Sequence, residues 1–114
     1  MSLKKIYAHV DCSDLTKSIG WYEKLFSRKP DALPMKGLAE WHHGEDAGFQ
    51  LFEDSAHAGA NTLTLIVEEL REEHKRLVDW GLNPGEVESS KSVSIVRLKD
   101  PDRNLIVLAQ SGSQ

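Results

Sequence analysis

The chain has 114 residues, 39% of them hydrophobic, and a formal net charge of −4 from 14 basic and 18 acidic residues. This size and composition predict one globular domain over 1–114, while the single Cys12 excludes a disulfide framework and a cysteine-rich zinc module and favours a cytoplasmic location. We expect no nucleic-acid partner, no membrane insertion and no export, because long basic runs, apolar stretches of bilayer length and a start typical of a signal peptide are all missing.

Hydrophobic periodicity predicts a strand, a helix and three strands in the first half of the chain. Residues 5–11 alternate between apolar and polar, which is typical of a half-buried strand. Asp14 is placed to cap a helix whose apolar residues recur at helical spacing up to the break at Lys29-Pro30. Turn signals then separate three shorter predicted strands, at 33–35, 38–42 and 48–53.

The second half repeats this order after a loop over 54–60. Residues 62–67 alternate like a strand, and residues 68–80 carry an apolar helical stripe that ends at Gly81. Turn residues at 100–104 join the last two strands. The three strands predicted after the second helix lie at 83–87, 92–98 and 105–109.

The equal spacing of matching features indicates an internal repeat. Tyr7 and Thr62, at the same place in the two first strands, lie 55 positions apart, and the same offset relates the starts of the two predicted helices. The predicted fold class is therefore α+β, with two tandem βαβββ modules forming a curved sheet around a cavity. The modules are predicted at about 4–53 and about 61–110.

Strand parity indicates which side chains line this cavity. The apolar parity of each module is expected to pack against its helix, which leaves the other parity facing the cavity. Cys12 has the apolar parity and no activating base, so we expect a buried, unreactive thiol. Core packing is an alternative for the aromatic candidates, and the parity of Trp41 does not decide between the two. The predicted ligand-binding residues are Tyr7, His9, Trp41, Gln50, Phe52, Thr62, Thr64 and Val107.

Three segments carry a resemblance to a known family. They read SDLTKSIGWYEKLF at the first helix, GFQLFED at the fourth strand and KDPDRNLIVLAQ at the last turn and strand. Together they resemble the vicinal oxygen chelate superfamily, which includes glyoxalase I, extradiol dioxygenases, fosfomycin-resistance enzymes and bleomycin-resistance proteins. The family's last turn usually has glycine where this chain has Arg103, and we expect Asn104 or a different turn type to absorb the difference. The resemblance also implies a homodimer.

The same resemblance identifies the positions that hold a divalent metal ion in the metal-dependent members. In this chain they are occupied by Tyr7, Gln50, Thr62 and Val107. Divalent cations in proteins usually take carboxylate or imidazole ligands, and this set contains neither. We therefore expect no metal ion at these positions and no cofactor.

The leading hypothesis is a metal-free small-molecule-binding protein that resembles the antibiotic-sequestering members of the superfamily. The acidic balance favours a cationic ligand, and the aromatic candidates favour a flat one. One alternative is a metal-dependent lyase, isomerase or dioxygenase with a shifted metal site that includes His9. The other is a non-catalytic interaction module whose cavity is filled by side chains such as Leu65 and Val107. Whether a reaction is catalysed stays open at this point.

Overall fold

The structure is a computed structural model and describes residues 1–112. The first half of the chain forms β1 (Ile6–Cys12), α1 (Leu15–Phe26), β2 (Ala32–Met35), β3 (Leu38–His43) and β4 (Ala47–Glu53). The second half forms β5 (Thr62–Ile66), α2 (Leu70–Asp79), β6 (Glu88–Ser89), β7 (Val93–Lys99) and β8 (Leu105–Ser111). The predicted order of elements is confirmed. Neither of the helices formed within 1–112 is long and apolar enough to cross a bilayer.

Each half of the chain forms one four-stranded sheet, in the orders β1-β4-β3-β2 and β5-β8-β7-β6. The first and fourth strands of each sheet pair in parallel, and the other pairs are antiparallel. β1 and β5 lie next to each other. The two sheets therefore continue each other, and the predicted α+β fold of two βαβββ modules is confirmed.

Side chains mark where the two helices begin, and a left-handed backbone marks where α1 ends. Asp14 caps α1 by accepting a hydrogen bond from the backbone N–H of Lys17 at 3.2 Å, and Ser27 follows the helix in the left-handed conformation with φ 61°. At the start of α2, Gln110 of β8 accepts a hydrogen bond from the backbone N–H of Leu70 at 2.7 Å. Both contacts satisfy N–H groups that have no partner within the helix.

Both helices cover the same face of the sheets, and one hydrophobic core joins the two modules. Arg76 of α2 donates hydrogen bonds to the backbone carbonyls of Lys24 and Leu25 at the end of α1, at 2.6 and 2.7 Å. Cys12 is buried in this core as predicted, and burial raises the pKa of its thiol to about 11. The fully buried core members include Val10, Tyr22, Leu51, Leu77, Ile106 and Leu108. We call the opposite face, which carries no helix, the open face.

The turn before β8 connects the modules through one buried side chain. Asn104 is fully buried and accepts hydrogen bonds from the backbone N–H groups of Gly59 and Asn61, both at 2.9 Å. Its Nδ2 donates to the backbone carbonyl of Asp11 at 3.0 Å and to Asp100 Oδ2 at 2.9 Å. A buried amide needs such partners because an unpaired polar group is costly in the interior. Asn104 therefore joins the end of β1 to the second module.

Two local predictions are wrong. The sixth strand is the two-residue β6 at Glu88–Ser89 and does not lie at 83–87. Pro84 has no N–H to donate to a neighbouring strand, and the φ of Asn83, 54°, interrupts the extended backbone. At the last turn Arg103, and not Asn104, adopts the left-handed conformation, with φ 71°. The buried hydrogen bonds of Asn104 fix its conformation, so the exposed Arg103 before it adopts the strained left-handed backbone instead.

Candidate functional site

The open face of the first sheet carries a group of polar side chains. Alternation along β1 places Tyr7, His9 and Asp11 on this face. The strand register sets His9 beside Gln50 of β4, and Gln50 opposite Glu40 of β3. The structure thus brings Tyr7, His9 and Gln50, three of the residues singled out from the sequence, to one patch of the sheet.

Hydrogen bonds link these side chains into one network. His9 Nε2 lies 2.8 Å from Asp11 Oδ1, and His9 Nδ1 lies 3.3 Å from Gln50 Oε1. Gln50 Nε2 donates to Glu40 Oε2 at 2.9 Å, so the amide oxygen of Gln50 is the atom that faces His9. Both contacts of His9 are hydrogen bonds when both ring nitrogens carry a proton, since Asp11 and the Gln50 oxygen only accept.

Glu40 lies at the centre of this network. Its Oε1 accepts a hydrogen bond from the Tyr7 hydroxyl at 3.4 Å and lies 3.2 Å from His42 Nε2. Hydrogen bonds to its carboxylate, that from Gln50 first, hold the pKa of Glu40 below its ordinary value although burial acts in the opposite direction. None of the ion pairs within residues 1–112 joins Glu40 to a lysine or arginine. The open face therefore holds an ionised carboxylate that forms no ion pair with a lysine or arginine within residues 1–112, and His42 pairs with it only when the imidazole is protonated.

Two aromatic rings accompany the network. The centroid of the Phe52 ring lies 6.1 Å from that of His9. The Tyr7 ring lies against Gly48, where a Cβ atom would come within 2.5 Å of Tyr7 Cε1, so this position has no room for a side chain. Lys5 Nζ lies 5.6 Å from the centroid of Tyr7, a distance at which an aromatic face attracts a cation.

The open face of the second sheet is neutral near the junction of the sheets and basic further out. Thr62 and Thr64 of β5 are exposed on this face, and Val107 of β8 pairs with Thr64. Arg97 and Lys99 of β7 share the face at the next strand. Thr62, Thr64 and Val107 thus face the same side as the polar network, across the junction between β1 and β5.

Trp41 does not lie on this face but on the helix side of the sheet. It pairs with Phe49, is 2% exposed, and its ring centroid lies 5.5 Å from that of Phe26 in α1. Its Nε1 donates to the backbone carbonyl of Arg28 at 2.9 Å. Because neighbouring residues of a strand point to opposite faces, the placement of Glu40 on the open face puts Trp41 among the core aromatic side chains.

The side chains at the superfamily's metal positions do not suit a divalent cation. Val107 has no donor atom, Gln50 is bonded to His9 and Glu40, and the Tyr7 hydroxyl donates to Glu40. Across residues 1–112, no three His, Cys, Asp or Glu side chains come close enough together to hold a metal ion. Since divalent ions in proteins need several such ligands, these side chains do not fit a divalent ion.

Three members of the network, Asp11, Glu40 and His42, are missing from the ligand-binding residues predicted from the sequence. Asp11 continues the alternation of β1 and so shares the parity of the predicted residues. The sequence feature that points to Glu40 as a site residue is its position between the apolar Ala39 and Trp41, within a predicted strand. A carboxylate there is unusual unless it faces water or polar partners.

Comparisons with known proteins find the same fold. No family model and no curated protein matches the chain. The solved glyoxalase / bleomycin resistance protein from Catenulispora acidiphila shares 28% identity, with 96% of this chain and 98% of that chain covered and a TM-score of 0.85. TnmS3, an antibiotic binding protein from Streptomyces sp. CB03234, shares 20% identity over 98% of each chain, with a TM-score of 0.82. Lactoylglutathione lyase from Agrobacterium tumefaciens shares 15% identity over 92% of this chain and 91% of that chain, with a TM-score of 0.76.

Proposed function

Because the chain has the vicinal oxygen chelate fold, we propose that it is a small-molecule-binding protein whose open face holds a cationic, aromatic ligand without a metal ion. One observation carries this proposal. The Glu40 carboxylate is fixed by hydrogen bonds beside Tyr7 on a face that no helix covers. The cationic group of the ligand contacts Glu40 and Asp11, and its ring packs on Tyr7 and Phe52.

Two carboxylates of low exposure favour a cation at this place. Asp11 and Glu40 are each 9% exposed, so water and salt screen their charges less than those of surface residues. A unit charge about 4 Å from such a carboxylate interacts by about 4 kcal/mol at an effective dielectric constant of about 20. The two histidines of the network reduce this negative charge only when they are protonated. A planar cation therefore satisfies both the carboxylates and the aromatic rings.

The solved relatives support binding without deciding whether a reaction takes place. TnmS3 is described as an antibiotic binding protein, whereas another relative is described as a lyase. The side chains at the superfamily's metal positions in this chain, Tyr7, Gln50, Thr62 and Val107, favour the first of these functions, because they are poor ligands for a divalent ion. We therefore favour binding of the ligand over breaking of one of its bonds.

We also propose that the chain forms a homodimer in the cytoplasm. The family resemblance implies pairing of two chains. The outer strand β2 carries Leu33 and Met35, 67% and 59% exposed, which are suited to contact with a second copy. Cys12 is a free, buried thiol, and a free thiol fits a reducing compartment.

We expect 1-methylquinolinium, a planar aromatic cation, to bind the wild-type protein saturably, and the Glu40→Gln variant to bind it about tenfold or more weakly. Glutamine keeps the size of Glu40 but removes its charge. A tenfold loss corresponds to about 1.4 kcal/mol, which is well within the electrostatic interaction expected for this site. Isothermal titration calorimetry of both proteins near neutral pH measures the two Kd values.

Two controls separate charge from shape. Quinoline, which is uncharged near neutral pH, should bind wild type more weakly than the cation does. Its affinity should be about the same for wild type and for Glu40→Gln. Glu72→Gln removes the same charge at an exposed position of α2, on the far side of the sheets, and should leave the Kd of the cation within about twofold. Equal cation binding by wild type and Glu40→Gln, or an equal loss in both variants, would overturn the proposal.

A further inference from the structure

A cavity lies on the helix side of the sheets, between the two modules, where β1 begins and β5 ends; we call it the rear cavity. Its volume is about 680 Å³, within the range of roughly 300–1,000 Å³ that is typical of ligand pockets. Its apolar wall includes Ala8, Phe26, Trp41, Phe49, Leu65 and Leu108. We propose that this rear cavity binds a small, uncharged aromatic molecule and is a site separate from the open face.

The rear cavity is open at β1 because the internal repeat is not exact there. Ala8 and Leu63 lie 55 positions apart, like Tyr7 and Thr62, and have the helix-side parity in their strands. Leu63 is 4% exposed in the core, whereas Ala8 is exposed. A leucine covers this place in the second module, and the alanine of the first module leaves it uncovered beside its strand partner Phe49.

Aromatic rings form one wall of the rear cavity. The ring centroids of Phe26, Trp41 and Phe49 lie 5.3 to 5.8 Å apart, with tilted planes. Aromatic side chains favour tilted and edge-to-face contacts at these distances, so a further ring that enters the cavity finds partners of the same kind. Apolar cavities also hold apolar molecules better than they hold water. The lining therefore favours an aromatic ligand.

The charged side chains at the rim already have partners within the chain. Arg28 Nη1 lies 2.6 Å from Asp31 Oδ2, and the second guanidinium nitrogen donates to the backbone carbonyl of His42. Arg76 Nη2 lies 2.7 Å from Glu73 Oε1, and the same guanidinium donates to two backbone carbonyls at the end of α1. An anion would have to displace these contacts, so the rim favours an uncharged ligand.

Strand parity separates the rear cavity from the site on the open face. Ala8 has the helix-side parity, and its neighbours Tyr7 and His9 have the opposite one. Of the residues on the open face, Thr64 and His42 also line the rear cavity, whereas Tyr7, His9, Gln50 and Glu40 do not. A substitution at Ala8 therefore changes the rear cavity and leaves Tyr7, His9, Gln50 and Glu40 in place.

The test is a titration of the full chain with N-phenyl-1-naphthylamine, an uncharged aromatic probe whose fluorescence rises in apolar surroundings. We expect saturable binding of about one probe per chain. Ala8→Leu should weaken the Kd by about tenfold or more, and the smaller Ala8→Val by less, because the added methyl groups occupy the cavity. Ala56→Leu, the same change at an exposed loop position, should leave the Kd within about twofold. Thermal unfolding checks that each variant is folded.

Several results would overturn this inference. They are a lack of saturable binding by wild type, equal binding by folded Ala8→Leu and Ala56→Leu, and a loss of probe binding in Glu40→Gln, which would place the probe on the open face. Sedimentation that shows a wild-type dimer dissociating on Ala8→Leu would also overturn it, because the cavity would then be a contact between two copies. Titration of the same variants with 1-methylquinolinium measures cation binding to the open face separately, so a failure of the rear cavity can be told apart from a failure of the open-face site.

Discussion

Asn104→Ala is expected to lower the free energy of unfolding by roughly 3–5 kcal/mol, a large share of the roughly 5–15 kcal/mol that is typical of a domain. The side chain is fully buried and makes four hydrogen bonds, which involve Gly59, Asn61, Asp11 and Asp100. Alanine leaves these groups without their partner at the junction of the modules. Urea denaturation followed by circular dichroism measures the change.

Asn83→Gly is the matched control for this loss of stability. It also removes an amide side chain, but from an exposed position whose φ of 54° glycine adopts freely. We expect the free energy of unfolding to change by no more than about 0.5 kcal/mol. A loss below about 1 kcal/mol for Asn104→Ala would show that its hydrogen bonds do not hold the modules together in the way that their geometry indicates.

Trp41→Ala is expected to destabilise the protein by about 3–5 kcal/mol, because it removes a large side chain from the core beneath α1. Trp41 is 2% exposed and its ring contacts those of Tyr22, Phe26 and Phe49. Trp41→Phe keeps most of the packing and loses the hydrogen bond to the Arg28 carbonyl, so it should cost only about 1 kcal/mol. The same urea titrations measure both variants.

The Trp41 variants also test the core placement against the placement on the ligand face that the sequence predicted. In the core, the ring of Trp41 is on the other side of the sheet from Glu40, so Trp41→Phe should leave the Kd of 1-methylquinolinium within about twofold. If Trp41→Ala keeps the stability of wild type and loses binding of the cation, the core placement is contradicted. Such a result would instead place Trp41 on the open face, among the ligand-binding residues.

Most of the fold could be predicted because the same order of elements occurs twice. The clear alternation of β1 and the amphipathic stripe of α1 each indicate a buried face, and Asp14 marks the start of the helix. The position of β6 could not be predicted in this way. The segment before it contains Pro84, and only its pairing with β7, where Glu88 lies opposite Ile95, shows where the strand forms.

The candidate site was only partly predictable, and β3 shows why. Three of the first four residues of this strand are apolar, so its alternation does not say which face Trp41 occupies. Pairing with β4 decides the question, since it sets Glu40 opposite Gln50 and Trp41 opposite Phe49. Register of this kind depends on contacts between strands and not on one strand alone. β1 alternates clearly, and Tyr7 lies on the face that its parity predicts.

Metal content tests most directly whether the open face holds its ligand with protein side chains alone. The measurement is elemental analysis of protein purified without chelator from cells supplied with manganese, iron, nickel and zinc, combined with thermal unfolding after each ion is added. We expect far less than one ion per chain and no ion-dependent rise in Tm, because the superfamily's metal positions lack suitable ligands. One ion per wild-type chain that is lost in His9→Ala would contradict the metal-free site and favour a shifted metal centre.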